Sequence, residues 1–323
     1  MELPPALRSA VDQLLEGVTL PVLREAAGTL SRRYRGEVRD GRLHISGELA
    51  AKAYLATRLP ATYAAVRASF AATAEALPGL APKTLLDIGA GPGTALFAAA
   101  DCFDSLETAT LVETSEAIRQ VGKQLTEAAA PVSAEWIAAD LATGLAGVAP
   151  ADLVTLAYVL DELSPSAIEP LVDRLWALTQ DTLLVVEPGT PAGWRRILAV
   201  RSRLIAAGAH LAAPCPHSAA CPLAAPDWCH FSRRVARSKL HRLAKSGDVP
   251  WEDEKFIYVA ASRTPAETPA ARVLAPPQTA SGTVRLKLCQ ADGTSTEKLV
   301  TRREGAAYKA ARRVDWGDAV EIS

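Results

Sequence analysis

No stretch of this 323-residue sequence runs apolar for the ~20 residues that a membrane-spanning helix needs, so no bilayer-crossing helix is predicted. Cysteine is scarce. There are five, an odd number, and with no export signal a disulfide framework is not expected. Metal or cluster ligation becomes the first question to ask of those thiols. Neither charge is in excess, the formal net charge being −1. That sum does not announce a nucleic-acid binder, although such binding depends on how charge is distributed rather than on its total. Internal repeats are absent. The opening MELPPALRSAVDQLLEG carries Glu2, Asp12 and Glu16 among its apolar residues, which suits neither a secretory signal nor an acid-poor transit peptide. The expected address is therefore the cytoplasm, of a bacterium.

What is present is the composition of a soluble globular chain, 49% hydrophobic and 22% charged. At this length roughly three quarters of the unfolded surface can be buried on folding. Residues 1–80 are rich in alanine and leucine, and Leu7, Val11, Leu14, Leu15 and Val18 recur at helical spacing, which predicts a helical cap. From residue 84 the texture changes. TLLDI, ATLVE, AEWIAA, DLVTLAY and TLLVVE are short apolar runs separated by helix-length segments such as SEAIRQVGKQL and SAIEPLVDRLWAL, an alternation that implies a mostly parallel sheet with helices on both faces. After residue 187 the alternation stops, and a long insertion holding three cysteines precedes a further strand, KFIYVAASR. TPAETPAARVLAPPQTASG then reads as a linker, and TVRLKLCQADGTSTEKLVTRR as a hairpin turning at ADG.

The run LLDIGAGPGTA, residues 85–95, places Asp87, Gly89, Gly91 and Gly93 at the end of a strand and the mouth of a helix. Glycines there let the backbone turn sharply and approach a ligand closely. Their spacing is GxGxG and not the GxGxxG of dinucleotide folds, which turns the expectation away from NAD. Glu113 closes the next strand, where it could accept two ribose hydroxyls, and Asp140 follows the third, within reach of an adenine amino group. Three such positions at successive strand ends resemble the S-adenosylmethionine site of class I methyltransferases; the plainer reading is a glycine turn with solvated acids. The fourth strand is followed by YVLDELSP and not by the Asn/Asp-Pro-Pro-aromatic run of amino-group methyltransferases. Asp161 and Glu162 could act there as a general base or cap the helix that begins near Ser164.

Cys215, Cys221 and Cys229 are separated by five and seven residues, and Cys289 follows in the tail hairpin. Four soft thiolates complete either a zinc site or an iron–sulfur cluster. The gaps exceed those of zinc knuckles and are stiffened by Pro216, Pro222 and Pro226, as suits a larger object wrapped by a loop. His217 and His230 are further candidate ligands. Cys102, on an amphipathic helix, is read as a core residue, and the bland alternative makes all five buried, reduced thiols.

With these motifs side by side, the chain resembles the methyltransferase-like family of small ribosomal subunit assembly proteins, the mitochondrial Rsm type with bacterial members. The matching segments are AYLATRLPATYAAV at 53–66, LLDIGAGPGTA at 85–95, LAYVLDEL at 156–163, VVEPGTPAGW at 185–194, the CPH…CPL…DWCHF block at 215–231, and LCQADG with YKAARRVDWGD at 288–318. The resemblance implies an α/β chain with a class I S-adenosylmethionine-dependent methyltransferase (Rossmann-like) fold: an N-terminal helical region over 1–80, a methyltransferase-like domain over 81–265 with a cysteine-rich insertion at 210–250, and a small C-terminal β appendage over 266–323. It also implies a four-iron four-sulfur (4Fe-4S) cluster on Cys215, Cys221, Cys229 and Cys289, zinc being the alternative, and association with the small ribosomal subunit and its rRNA. The segment SRRVARSKLHRLAK holds Arg233, Arg234, Arg237, Lys239, Arg242 and Lys245 and no acid. As one helix it would put Arg234, Arg237, His241 and Lys245 on a single face, and Arg233, Arg234, Arg237, Arg242 and Lys245 are the expected phosphate contacts. Two functions stay open: an assembly factor that uses the fold as a scaffold, and a working ribosomal RNA methyltransferase.

Overall fold

The computed structural model describes residues 1–36, 45–140, 145–245 and 249–321. Four helices come first: α1 (Pro5–Leu14), α2 (Leu20–Arg35), α3 (Glu48–Thr57) and α4 (Leu59–Ala76). Strand and helix then alternate through β1 (Thr84–Ile88), α5 (Thr94–Ala100), β2 (Thr108–Val112), α6 (Glu116–Ala129), β3 (Ser133–Ile137), β4 (Ala151–Ala157), α7 (Pro165–Leu178), β5 (Thr179–Pro188), α8 (Pro191–Ala206) and β6 (His210–Ala213). The chain continues with β7 (Phe231–Ala236), α9 (Lys239–Ala244), β8 (Trp251–Ser262), β9 (Ala271–Val273), β10 (Gln278–Ala280), β11 (Thr283–Gln290) and β12 (Ser295–Thr301), and closes on a 3-10 turn (Arg302–Glu304), α10 (Ala306–Ala311) and β13 (Ala319–Val320).

The large sheet has eight strands in the order β3-β2-β1-β4-β5-β8-β6, with β7 also on β8. The first five are parallel and β8 runs against β5. Strands β1, β4 and β5 are buried on both faces, which is why they read as continuous apolar runs and not as alternating ones. Strand order reverses between β1 and β4, and in open parallel sheets the crevice beyond the strand ends at such a switch point is where ligands bind. This is the class I methyltransferase architecture, with α2 and the junction of α3 with α4 laid over the crevice end. A second sheet of five strands, β10-β11-β9-β13 with β12 on β11, has its own small core of Val284, Leu286, Leu288, Val300 and Tyr308.

Three expectations need correction. The alternation does not stop at residue 187, because α8 and β6 continue it before the cysteines. The supposed linker contributes β9 and β10, and Ala271, Arg272 and Val273 are buried; a three-residue strand paired only over long range leaves no periodic signal. Residues 231–236 form a strand on β8, so SRRVARSKLHRLAK is not one helix. Its β-branched and aromatic content is too small to announce a strand, and pairing with β8 decides the matter.

The turn from β5 into α8 admits only glycine. A Cβ on Gly193 would stand 2.0 Å from the Pro188 carbonyl oxygen, and one on Gly189 2.7 Å from the Phe256 nitrogen. Both obstacles are backbone and cannot swing away. Gly193→Ala should therefore lower unfolding stability by roughly 1–3 kcal/mol or more, whereas Gly79→Ala, with open space around its Cβ, should leave it nearly unchanged. Equal thermal midpoints for the two variants would refute the packing argument.

Candidate functional site

Two cavities lie on either side of that turn. The larger, of about 750 Å³, is lined by Gly89 and Gly91 after β1, by Glu113, Thr114 and Ser115 after β2, and by Tyr158, Asp161 and Glu162 after β4. Helix α2 and Tyr54 roof it, and Pro188 and Thr190 form its far wall. This volume falls within the range of pockets that enclose a small organic ligand.

The glycine loop is built for approach. Gly89, Gly91 and Gly93 all have positive φ, and the Gly89 and Ala90 amides bond the Val112 carbonyl at 2.9 and 3.0 Å, which pins the loop to β2. A Cβ on Gly89 would meet Val159 at 2.5 Å, while one on Gly91 would meet no protein atom within 4 Å. Gly93 faces away, toward Leu111, Thr126 and Trp136. The Glu113 carboxylate accepts from the Gly91 amide at 2.9 Å and the Ser115 amide at 2.7 Å. Burial raises its pKa, and those two N–H donors pull the other way. Asp87 is buried below the loop, bonded by the Thr155 hydroxyl at 2.6 Å. Asp140 is exposed beyond β3 and is not among the lining residues. Asp161 is buried and Glu162 lies beside it, and both are in the cavity wall.

Sequence reasoning missed the group that fills the floor. The Tyr158 hydroxyl donates to Glu254 at 2.9 Å, and the Arg58 guanidinium reaches the same oxygen at 3.3 Å and lies 5.9 Å from the Tyr158 ring centroid. Tyr158 is the one non-glycine residue with positive φ among the described residues. Residues 58, 158 and 254 come from three separated segments, so no local pattern could have joined them.

The second cavity, about 30 Å³, gathers all four expected cysteines: Cys215 and Cys221 after β6, Cys229 before β7, and Cys289 on β11. Trp194, Ile197, Leu198 and Arg201 line it from one face of α8 at spacings of three, four and seven. Burial, then the mutual repulsion of the thiolates, pushes Cys289 up to about 12 and raises Cys229, and burial raises Cys215. Cys215, Cys229 and Cys289 therefore stay protonated at neutral pH unless a cation takes the place of their protons. Two buried arginines oppose that shift. Arg201 donates to the His217 and Ala219 carbonyls at 2.8 Å, and its Nε, also buried, has no hydrogen-bond partner. Arg272 donates to the carbonyls of Pro214 at 2.9 Å and Gly317 at 3.0 Å. His217 Nε2 is 3.3 Å from Cys289 Sγ. His230 stacks on Trp228 at 5.1 Å and meets Trp316 edge-on at 4.8 Å. Among the described residues no group of three or more His, Cys, Asp or Glu side chains is arranged to hold a metal ion. Cys102 is half-buried in the turn after α5, not on the helix, and lies apart from this cavity.

The basic cluster is not uncompensated. Strand β8 sets Glu252, Asp253 and Glu254 opposite it in register. Arg234 pairs with Asp253 at 3.0 Å, and Glu252 takes Arg237 at 3.0 Å and Lys245 at 2.9 Å. Arg233 and Arg242 have no ion-pair partner among the described residues. The acids lie on a separate strand seven to nine residues beyond Lys245, and only the pairing of that strand with residues 231–236 brings them alongside the cluster.

Burial raises the Asp87 carboxyl to about 7, opposed by the Thr155 hydrogen bond and reinforced by Glu113. A folded-state value above the unfolded one makes the native state hold its proton longer, so this group favours folding at low pH and the advantage fades as pH climbs from about 4 to 7. Asp87→Asn should flatten that fall and be the more stable form at pH 8, by on the order of 2 kcal/mol in denaturant titrations. A variant less stable at pH 8 than at pH 4, by the same margin as wild type, would refute it.

The family model described as mitochondrial small ribosomal subunit Rsm22 matches residues 48–321. The human ribosome assembly protein METTL17, mitochondrial, is 29% identical over 287 residues, covering 83% of this chain and 62% of its own. A mitochondrial Rsm22-cox11 tandem protein of Schizosaccharomyces pombe is 22% identical, covering 72% of this chain and 38% of its own. The chain thus spans less than two thirds of these relatives. Among solved structures, magnesium protoporphyrin IX methyltransferase of Synechocystis with bound S-adenosylhomocysteine superposes with TM-score 0.39 at 15% identity, over 76% of this chain and 99% of that one. An O-methyltransferase family protein of Burkholderia thailandensis gives 0.45 at 12%, over 77% and 73%. The relatives are mitochondrial proteins, which overturns the cytoplasmic address read from the acids of the first residues. Because the family match runs through both cavities and the second sheet, the chain belongs to the Rsm22 family of mitochondrial small ribosomal subunit proteins.

Proposed function

We propose that the chain acts in assembly of the small ribosomal subunit, as a scaffold with a methyltransferase core that holds S-adenosylmethionine, a 4Fe-4S cluster and ribosomal RNA. The observation that carries this is the continuity of the family match from α3 to β13, across both cavities, in a chain whose human relative is a ribosome assembly protein. S-adenosylmethionine is assigned to the larger cavity, with Gly89 and Gly91 giving its backbone approach and Glu113 accepting from ribose hydroxyls. The cluster is assigned to Cys215, Cys221, Cys229 and Cys289. The donor set supports it: four thiols on two chain segments, the loop between β6 and β7 and strand β11, with two buried guanidinium groups to offset the negative charge of a thiolate-ligated cluster. Bound there, the cluster would supply metal–sulfur bonds that join the insertion to the second sheet. Scaffolding is favoured over methyl transfer because the floor beyond Tyr158 is occupied by the Arg58–Glu254 pair and the stretch after β4 lacks the amino-group acceptor motif.

Calorimetry should find S-adenosylmethionine binding that Glu113→Gln weakens by about 1.5–3 kcal/mol through loss of bonds to a charged acceptor. Gly91→Val should abolish it, since the added side chain enters space that no protein atom occupies. No binding to fully metallated wild type would make the glycine loop a relic.

Anaerobically purified protein should carry close to four irons and four sulfides per chain, and Cys289→Ser should lose them together with protease resistance of the second sheet. Stoichiometric zinc with no iron would refute the cluster while keeping the site. For the function itself, cells lacking the protein should accumulate immature small subunits, and Gly91→Val should restore assembly. Failure of that variant, with loss of a specific methyl group from the ribosomal RNA, would make methyl transfer the essential act.

A further inference from the structure

The pairing of Arg234, Arg237 and Lys245 with β8 acids removes most of the cationic surface that the sequence offers between residues 233 and 245. A different segment keeps its charge. Arg302, Arg303, Lys309, Arg312 and Arg313 lie within twelve residues of the second sheet's closing segment, and all five are exposed. None has an ion-pair partner among the described residues, and Arg312 alone makes a ring contact, 6.0 Å over Tyr308. The one acid among them, Glu304, is committed to a capping box, accepting from the Thr301 amide at 2.6 Å and hydroxyl at 3.0 Å.

The patch is held rigidly. Tyr308 and Ala311 are buried in the small core with Val284, Leu286 and Val300, so α10 turns its apolar side inward. Lys309 on α10 and Arg312 and Arg313 in the turn that follows it are left exposed. Anchoring of this kind lowers the ordering cost of a contact. Four of the five cations are arginines, whose planar fork matches phosphate oxygens in pairs. A membrane surface would require apolar side chains beside the charges, and the only exposed large hydrophobic residue described in the second sheet is Leu299.

We propose that this arginine patch of the second sheet, Arg302, Arg303, Lys309, Arg312 and Arg313, is the main phosphate-contacting surface through which the chain binds RNA. The proposal rests on the RNA-binding reading above and assigns it to residues outside the 233–245 segment.

The test is a salt titration of binding between the full metallated chain and transcribed small-subunit ribosomal RNA. Arg302→Ala/Arg303→Ala and Arg312→Ala/Arg313→Ala should each reduce the log–log salt slope by about 1.5, and the four-fold variant should bind at least tenfold more weakly near physiological salt. Replacing the same four by lysine should restore the slope, which separates charge from folding. Arg233→Ala/Arg242→Ala should change the slope by less than either pair. A four-fold alanine variant with wild-type slope and affinity would overturn the patch and leave the RNA reading standing. Wild type that binds no RNA at all would sink both. Polyglutamate that binds wild type as tightly as the RNA does, and loses that binding in the four-fold alanine variant, would overturn the proposal by reassigning the patch to an acidic protein.

Discussion

The close backbone approach at the turn from β5 to α8 is the constraint on which both cavities depend. Pro188 and Thr190 on this turn wall the larger cavity, and Trp194, one turn into α8, walls the cysteine cavity. The Gly189 carbonyl accepts from Trp228 Nε1 at 3.0 Å, and its amide donates to the Lys255 carbonyl at 2.9 Å. One glycine thus ties β5, β8 and the cysteine loop. Thr190 caps α8 by accepting from the Gly193 amide at 3.0 Å, and a cap of this kind contributes ~1 kcal/mol. The helix direction it fixes is what aims Ile197 and Arg201 at the thiols. Within VEPGTPAGW, Gly189 and Gly193 are fixed as glycines because each faces backbone atoms that cannot move.

The parts of the fold that were legible in the sequence are those where a local pattern and a buried face coincide. Strands β1, β2, β4 and β5 showed as apolar runs because parallel strands are covered on both sides, and the glycine loop showed because positive φ selects residue type without reference to distant partners. The four cysteines were legible for a chemical reason: a chain with only five thiols that bunches three of them among prolines concentrates soft ligands in one stiffened loop. The structure brings those three and Cys289 to one cavity and sets Gly89, Gly91 and Glu113 around the other.

What stayed hidden is long-range pairing. Arg233, Arg234 and Arg237 look like a free cationic face until β8 lays Glu252, Asp253 and Glu254 beside them. Burial would push Glu252 up, but the His241 imidazole, 3.3 Å away, and the hydrogen-bonded charge of Lys245 win and hold it well below the usual carboxylate range. It remains ionised and keeps neutralising its neighbours. Arg272 was hidden in the same way, in a stretch whose prolines and alanines suggest a linker. Its guanidinium spans from Pro214, beside the first cysteine, to Gly317 near the chain's close.

Burying Arg201 and Arg272 is costly unless their charge is answered. Their N–H groups go largely to carbonyl oxygens, which satisfies hydrogen bonding but leaves the positive charge without a formal counter-ion. No carboxylate lines the cavity they face. The only acidic side chains in its wall are the four thiols and Tyr258, whose own pKa burial raises to about 12. Neutral thiols gain nothing from the two cations, and thiolates gain a good deal, so the cavity is electrostatically incomplete until the cysteines give up protons. Mutual repulsion prevents them from doing so one after another. The cluster proposed above would remove both difficulties together, since its four ligands would give up their protons at once and their negative charge would answer the two arginines. The same buried charge that goes unanswered in the thiol form would favour the proposed ligated one, and the loop carbonyls that hold the guanidinium groups fix both cations at the wall of the cavity that the four cysteines line.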